Sequence, residues 1–305
     1  MKLGYLFSGQ GSQFEEMGQD LYRAEPLYKQ TVDEATDVLG MDLSNAMIFD
    51  DPNNIQVAIL TMSTAINRVI AQDIEAPIVA AGLSLGEYSA LVAARAMSFS
   101  DALKLVRDRA HYMEIAGKNN PGRMTAVLNA DDHLLAEALN FGNVNGRVFP
   151  ANYNTNSQVV IGGDETGVSQ ASEYLKQHGV KRVIPMKVAV ASHTPLMIEA
   201  SEKLGKRLSE VEFHEPVFPV ISNTISAPFT KDNLEQTLRR QLIEPTHFAD
   251  GVQIMTNLSA DTFIELGPGA TLSKLIKKIN RSVDTYHVDS VSTLTDLRNQ
   301  LGEGK

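Results

Sequence analysis

Pro77-Ile-Val-Ala-Ala-Gly82-Leu83-Ser84-Leu85-Gly86-Glu87-Tyr88 decides how the rest of this chain is read. An apolar run rich in β-formers leads into Gly-x-Ser-x-Gly, and a helix-compatible Tyr-Ser-Ala-Leu-Val-Ala-Ala-Arg follows. Strand, sharp turn and helix are the context in which that spacing means an exposed nucleophilic serine. A Cβ at either glycine would collide with neighbouring backbone at such an elbow. A helix beginning at the serine also turns its N-terminal N–H groups and positive dipole end toward the same point, which suits a developing oxyanion.

Outward from the elbow, strand-like and helix-like segments alternate. Leu3 to Phe7, Pro77 to Gly82, Val217 to Asn223, Thr262 to Leu266 and Thr285 to Val288 read as short buried strands. Ile55 to Ala71, Ser100 to Gly117, Pro195 to Val211 and Thr271 to Asn280 carry apolar residues at helical spacing. Such alternation predicts a mainly parallel sheet covered by helices on both faces. Between about Gly122 and Val188 the order changes. Met124 to Leu128, Val148 to Asn152, Gln158 to Ile161 and Arg182 to Met186 read as strands, and Asp131 to Asn140 and Thr166 to His178 as helices. Their order is β-α-β-β-α-β, that of ferredoxin-like domains. The expected fold is therefore a large α/β-hydrolase-like domain, 1–121 and 190–305, with an inserted ferredoxin-like domain, 122–189. The groove between the two is the expected pocket.

Composition narrows the chemistry. The 305 residues include no cysteine, which excludes disulfides, thiolate metal sites and a cysteine nucleophile. The N-terminus turns polar after Phe7, too soon for a signal peptide, and no stretch approaches the ~18 apolar residues of a membrane span. A cytoplasmic protein with no membrane partner is expected, its last few residues frayed. A net charge of −10 argues against nucleic acid as a partner. The run Lys274, Lys277, Lys278 and Arg281 could dock an acidic protein, although a solvated helix face explains it better.

A serine hydroxyl needs a base and oxyanion donors. His111, His133 and His178 fall on polar helix faces or at a helix end, His214 in a loop or strand entry, and His287 in the last strand. His193, at the exit of the inserted domain and just before a helix, could face a nucleophile across the groove or could simply cap or pack. On the helix from Ser100, Arg109 falls in the apolar sector with Ala102, Leu105, Val106 and Met113. A guanidinium aimed at a core must be paired, either with an internal carboxylate or with one on a substrate. The loop Phe7-Ser8-Gly9-Gln10-Gly11-Ser12-Gln13 after the first strand lacks a phosphate-loop ending. It is either a tight turn or the source of a second oxyanion donor.

Phe-Ser-Gly-Gln-Gly-Ser-Gln at 7–13, Gly-Leu-Ser-Leu-Gly-Glu-Tyr-Ser-Ala-Leu-Val at 82–92, Leu-Val-Arg-Asp-Arg at 105–109, Ala-Asn-Tyr-Asn at 151–154, Ser-His at 192–193 and Ile-Glu-Leu-Gly-Pro-Gly at 264–269 occur in one order. Together they resemble the malonyl-CoA:acyl carrier protein transacylase family, over nearly the whole chain. The resemblance implies Ser84 as the acylated nucleophile, His193 as its base, Arg109 as the malonyl carboxylate site, and the N–H groups of Gln10 and Leu85 as the oxyanion hole. It implies ping-pong transfer from malonyl-CoA to the phosphopantetheine thiol of acyl carrier protein, with no metal or redox cofactor. The expected assembly is a monomer.

Four positions depart from the family pattern. Leu83 stands where His is frequent, and Ser8 where Pro is frequent. Ser192 replaces a Phe common in malonyl-selective members, which loosens selectivity against branched malonyl groups. His247 lies where a Gln or Asn often orients the catalytic histidine, so it is a possible orienting residue here. A free-standing acyltransferase of polyketide synthesis fits the same motifs. A serine esterase would place its histidine last, nominating His287 with Asp261 or Asp284. A carrier-binding scaffold without turnover is disfavoured by the intact Ser84, His193 and Arg109.

Overall fold

In a computed structural model of the chain, residues 1–188 and 190–302 are described. Ala189, at the expected edge of the inserted domain, and 303–305, at the end expected to fray, lie outside them. The strands in chain order are β1 (Leu3–Phe7), β2 (Val79–Gly82), β3 (Arg123–Leu128), β4 (Val148–Thr155), β5 (Gln158–Gly163), β6 (Arg182–Pro185), β7 (Val220–Ile221), β8 (Thr246–His247), β9 (Thr262–Leu266) and β10 (Asp284–Val288). They form two sheets, and the chain divides into two compact units. One comprises Met1–Asp108, Val211–Leu234 and Gly251–Lys305; the other comprises Arg109–Glu210 and Glu235–Asp250.

The first unit carries the sheet β10-β9-β1-β2-β7. Every pairing in it is parallel. β1, β2 and β9 are buried at every position, as strands covered on both faces must be. The helix Ile55–Ile70 is buried along most of its length. β7 is shorter than the stretch Val217 to Asn223 suggests. Pro216 and Pro219 supply no N–H to a ladder, and the Val217 N–H is already used on the Ala94 carbonyl.

In the second unit β6-β3-β5-β4 are antiparallel neighbours, the spatial order of a ferredoxin-like sheet, and β8 joins β4 in parallel. Helices Asp132–Gly142 and Glu165–Gln177 start where Asp131 and Asp164 accept N–H bonds from Leu134 and Gly167. Their apolar faces join Val127, Val148 and Ile161 in one core containing Leu135, Ala138, Val168, Ala171 and Leu175. The segment from Pro195 starts as a 3-10 turn, Pro195–Met197, and continues as an α-helix only over Ile198–Leu208. Phe99–Asn119 is one long helix, slightly longer than its periodicity indicates, and the division between the units falls within it after Asp108.

Candidate active site

In the first unit the elbow follows β2 directly. Ser84 is half-buried at φ 54, a left-handed conformation that costs a non-glycine residue energy and concentrates at functional sites. A Cβ on Gly82 would lie 2.0 Å from the carbonyl carbon of Gly86, and one on Gly86 would lie 2.0 Å from the Phe7 carbonyl oxygen. Both glycines are therefore required by the close crossing of strand and helix. Helix Gly86–Ala93 begins two residues after the serine.

The loop after β1 packs against this elbow. Leu83 N–H donates to the Phe7 carbonyl at 3.3 Å. A Cβ on Gly9 would sit 2.5 Å from the Leu83 carbonyl oxygen, so the loop passes at backbone contact distance. Gln56 Nε2 holds Gln10 Oε1 at 3.2 Å. Among the described residues, neither the Gln10 nor the Leu85 main-chain N–H is consumed in a hydrogen bond. The structure thus brings Ser84, Leu85 and Gln10 into one neighbourhood.

Glu265, quoted above only as part of a motif, supports this loop from beneath. Its buried carboxylate accepts Ser8 Oγ at 3.2 Å and the N–H groups of Leu272 and Ser273 at 3.1 and 2.8 Å. It therefore closes the N-terminus of helix Thr271–Ile279 while tethering the start of the Gln10 loop. Burial raises its pKa above the ordinary carboxylate value, against those donors, which pull it down. Ser8, where the family often has Pro, has a definite partner.

The second unit holds His193, Arg109 and Gln241 together. His193 is 3% exposed and, like Ser84, adopts a left-handed conformation, φ 61. Thr194 beside it donates to the Ala191 carbonyl at 2.7 Å and caps the 3-10 turn. His193 Nδ1 is 2.7 Å from the Gln241 main-chain carbonyl oxygen. A carbonyl only accepts, so Nδ1 carries the proton and Nε2 presents its lone pair. Burial, reinforced by the Arg109 charge and opposed by the Gln241 bond, lowers the His193 pKa from 6.5 to about 4. The imidazole is therefore neutral at neutral pH, the form able to accept a proton.

Arg109 is 1% exposed and donates through Nη2 to Gln241 Oε1 at 3.2 Å. Gln241 thus holds the imidazole with its backbone and the guanidinium with its side chain. Nothing in Arg-Arg-Gln-Leu-Ile distinguishes that role, because a main-chain acceptor leaves no side-chain signature. His247 is elsewhere in the unit. It stacks on Tyr153, ring centroids 4.9 Å apart, and its Nδ1 lies 3.4 Å from Asp250 Oδ2. Ser192 Oγ lies 3.9 Å from Met124 Sδ.

The remaining titratable candidates lead away from catalysis. His111, His133, His178 and His214 are exposed. His287 lies in β10 beside β9, while Asp284 starts β10 and Asp261 immediately precedes β9. Because all strands of that sheet are parallel, both aspartates lie at the end opposite the elbow, which removes the esterase triad. Asp261 is also engaged by Lys2 N–H and Thr262 Oγ1. Lys274, Lys277 and Lys278 are exposed on their helix, and Lys277 Nζ reaches the Val283 carbonyl. Among the described residues no cluster of three His, Asp or Glu side chains could hold a metal ion, and no helix is long and apolar enough to cross a membrane.

A strained serine at a strand–helix elbow with open N–H donors, in a chain that also buries an imidazole, is an arrangement suited to acyl transfer. The chain matches the acyl transferase domain family over residues 4–300 and belongs to it. It is 38% identical over 301 residues to the malonyl CoA-acyl carrier protein transacylase of Bacillus subtilis, covering 96% of this chain and 95% of that one. The crystal structure of MCAT from Streptococcus pneumoniae superimposes with a TM-score of 0.94 at 41% identity, over 98% of this chain and all of the other. A malonyl-transacylase solved in complex with its type II PKS acyl-carrier protein matches at 34% identity and a TM-score of 0.92, over 98% and 100% of the two chains.

Proposed function

We propose that this enzyme transfers the malonyl group from malonyl-CoA to the phosphopantetheine thiol of acyl carrier protein, supplying fatty acid synthesis. The observation that carries the choice of acyl group is Arg109, a buried guanidinium sharing Gln241 with the candidate base. Ser84 Oγ attacks the thioester carbonyl while His193 Nε2 takes its proton. The N–H groups of Gln10 and Leu85 receive the oxyanion, and the thiolate of coenzyme A leaves with the proton that His193 returns. The carrier thiol then gives its proton to His193 and attacks the malonyl-serine ester, and Ser84 departs reprotonated. Every proton and electron pair is accounted for by these residues and the two substrates, so the cycle needs no metal or redox cofactor. The forked guanidinium of Arg109 pairs with the free malonyl carboxylate. The names of the similar transacylases support both malonyl-CoA and the carrier as substrates. The absence of cysteine and of a long apolar helix among the described residues fits a cytoplasmic site of action.

The test is incubation with malonyl-CoA, intact mass measurement, and addition of carrier protein. A malonyl adduct is expected on the wild type and absent from Ser84→Ala, and it should pass to the carrier. Hydrolysis without transfer would overturn the assignment.

A further inference from the structure

We infer that Glu87 and Asn223 form a closed brace that sets the position of the nucleophile. Ser84 N–H donates to Asn223 Oδ1 at 2.9 Å. Asn223 N–H donates in turn to Glu87 Oε1, and Glu87 N–H donates back to the Ser84 carbonyl at 3.1 Å. Both peptide groups of Ser84 are thereby held by two residues, one on the helix after the elbow and one on the loop after β7. Glu87 and Asn223 are both fully buried, so these bonds act in a medium of low dielectric and are not diluted by water.

Three features point to positioning rather than general packing. First, Ser84 is in the left-handed region, φ 54, which a serine does not hold unless its surroundings impose it. Second, the amide of Asn223 is committed in one sense. The Ser84 N–H can only donate, so the atom facing it is the oxygen. That orientation leaves Asn223 Nδ2 buried without a partner among the described residues, an arrangement that costs stability yet is kept. Third, the brace consumes the Ser84 N–H and leaves the next one, Leu85 N–H, unspent. An elbow that relaxed would turn the hydroxyl and the Leu85 donor away together. Glu87 and Asn223 are thus positioning residues that act through Ser84.

This inference rests on Ser84 being the acylated nucleophile, and two probes separate its failure from that of the malonyl assignment. Single-turnover malonyl acylation reads the natural reaction, and labelling by a fluorophosphonate reads the serine's nucleophilicity without any malonyl group. Asn223→Ala and Glu87→Ala should slow both by about tenfold to a hundredfold, the usual result of misplacing a reacting group by a fraction of an ångström. The KM for malonyl-CoA should stay within about twofold, since the carboxylate site is untouched. Glu87→Gln and Asn223→Asp retain the acceptor oxygens, so each should label faster than the alanine variant at the same position. If the alanine variants do not fold, these two should still label at close to the wild-type rate. Unchanged labelling in folded Asn223→Ala, a loss confined to KM, or conservative variants as slow as the alanines would overturn the brace. Wild-type protein that takes the fluorophosphonate but not malonyl would refute the substrate while leaving the brace to be judged on labelling rates.

Discussion

Arg109 and His193 show how one buried environment serves two residues with opposite needs. Burial favours the neutral imidazole, which a base requires, and the nearby guanidinium strengthens that effect. The same burial makes a permanent cation costly, so a site that holds one gains most when a carboxylate arrives. Arg109→Ala should therefore lower malonyl acylation of Ser84 by about a hundredfold, the value of a charge-assisted pair, while acetyl acylation falls by less than about fivefold. Equal losses on malonyl-CoA and acetyl-CoA, measured by single-turnover acylation, would remove Arg109 from carboxylate recognition. His193 adds a backbone observation to the electrostatic one. It and Ser84 are both held at positive φ, 61 and 54, although neither is a glycine. Strain of that kind persists where the surroundings over-determine it, through Thr194 and Gln241 in one case and Asn223 and Glu87 in the other.

At the scale of the element, the elbow is fixed by two glycines and a crossing strand. Gly86→Ala would drive a methyl group into the Phe7 carbonyl, which belongs to the central strand of its sheet and cannot move cheaply. A loss of about 2–3 kcal/mol is expected, read as a lower urea midpoint, with Ser84 labelling reduced in whatever fraction stays folded. Unaltered stability would mean that the strand and helix yield more easily than this geometry allows. Such elements were legible in the sequence because they repeat a local rule. The alternating β and α segments, the ferredoxin order from Met124 to Met186 and the Gly82–Gly86 elbow all follow from periodicity and turn chemistry. Arg109 was visible because it interrupts an apolar stripe. Gln241, Asn223, Glu87 and Glu265 carry no such local sign. Each acts through a hydrogen bond to a residue far away in sequence: Asn223 to the Ser84 N–H, Glu87 to the Asn223 N–H, Glu265 to the Ser8 hydroxyl, and the Gln241 main-chain carbonyl to His193. No spacing encodes those contacts. β7 is shorter than its apolar content suggests because Pro219 lies inside the stretch Val217 to Asn223 and Pro216 just before it, and neither has an N–H to donate to a ladder.

For the whole molecule, the buried titratable groups link folding to pH with opposite signs. His193 titrates near 4 in the folded chain and near 6.5 unfolded, so between those values the unfolded chain binds more protons. Its contribution is fully present above about pH 6.5 and is lost as the pH falls toward 4, to a limit of about 3 kcal/mol. Glu265 works the other way. Its folded pKa is raised, so the folded chain holds the extra proton, and stability falls as the pH rises from its unfolded value near 4.5 through the folded one. A single acid denaturation curve mixes the two, whereas a difference curve separates them. His193→Gln keeps an amide donor for the Gln241 carbonyl and removes the titration. Subtracting its urea-derived stability from that of the wild type cancels Glu265 and every other carboxylate that does not touch position 193. The difference should fall steadily from pH 6.5 to 4 in the direction of wild-type destabilisation and be flat above pH 7. A flat difference across the whole range would mean that burial does not lower the His193 pKa, and the environment assigned to the imidazole would fall with that result.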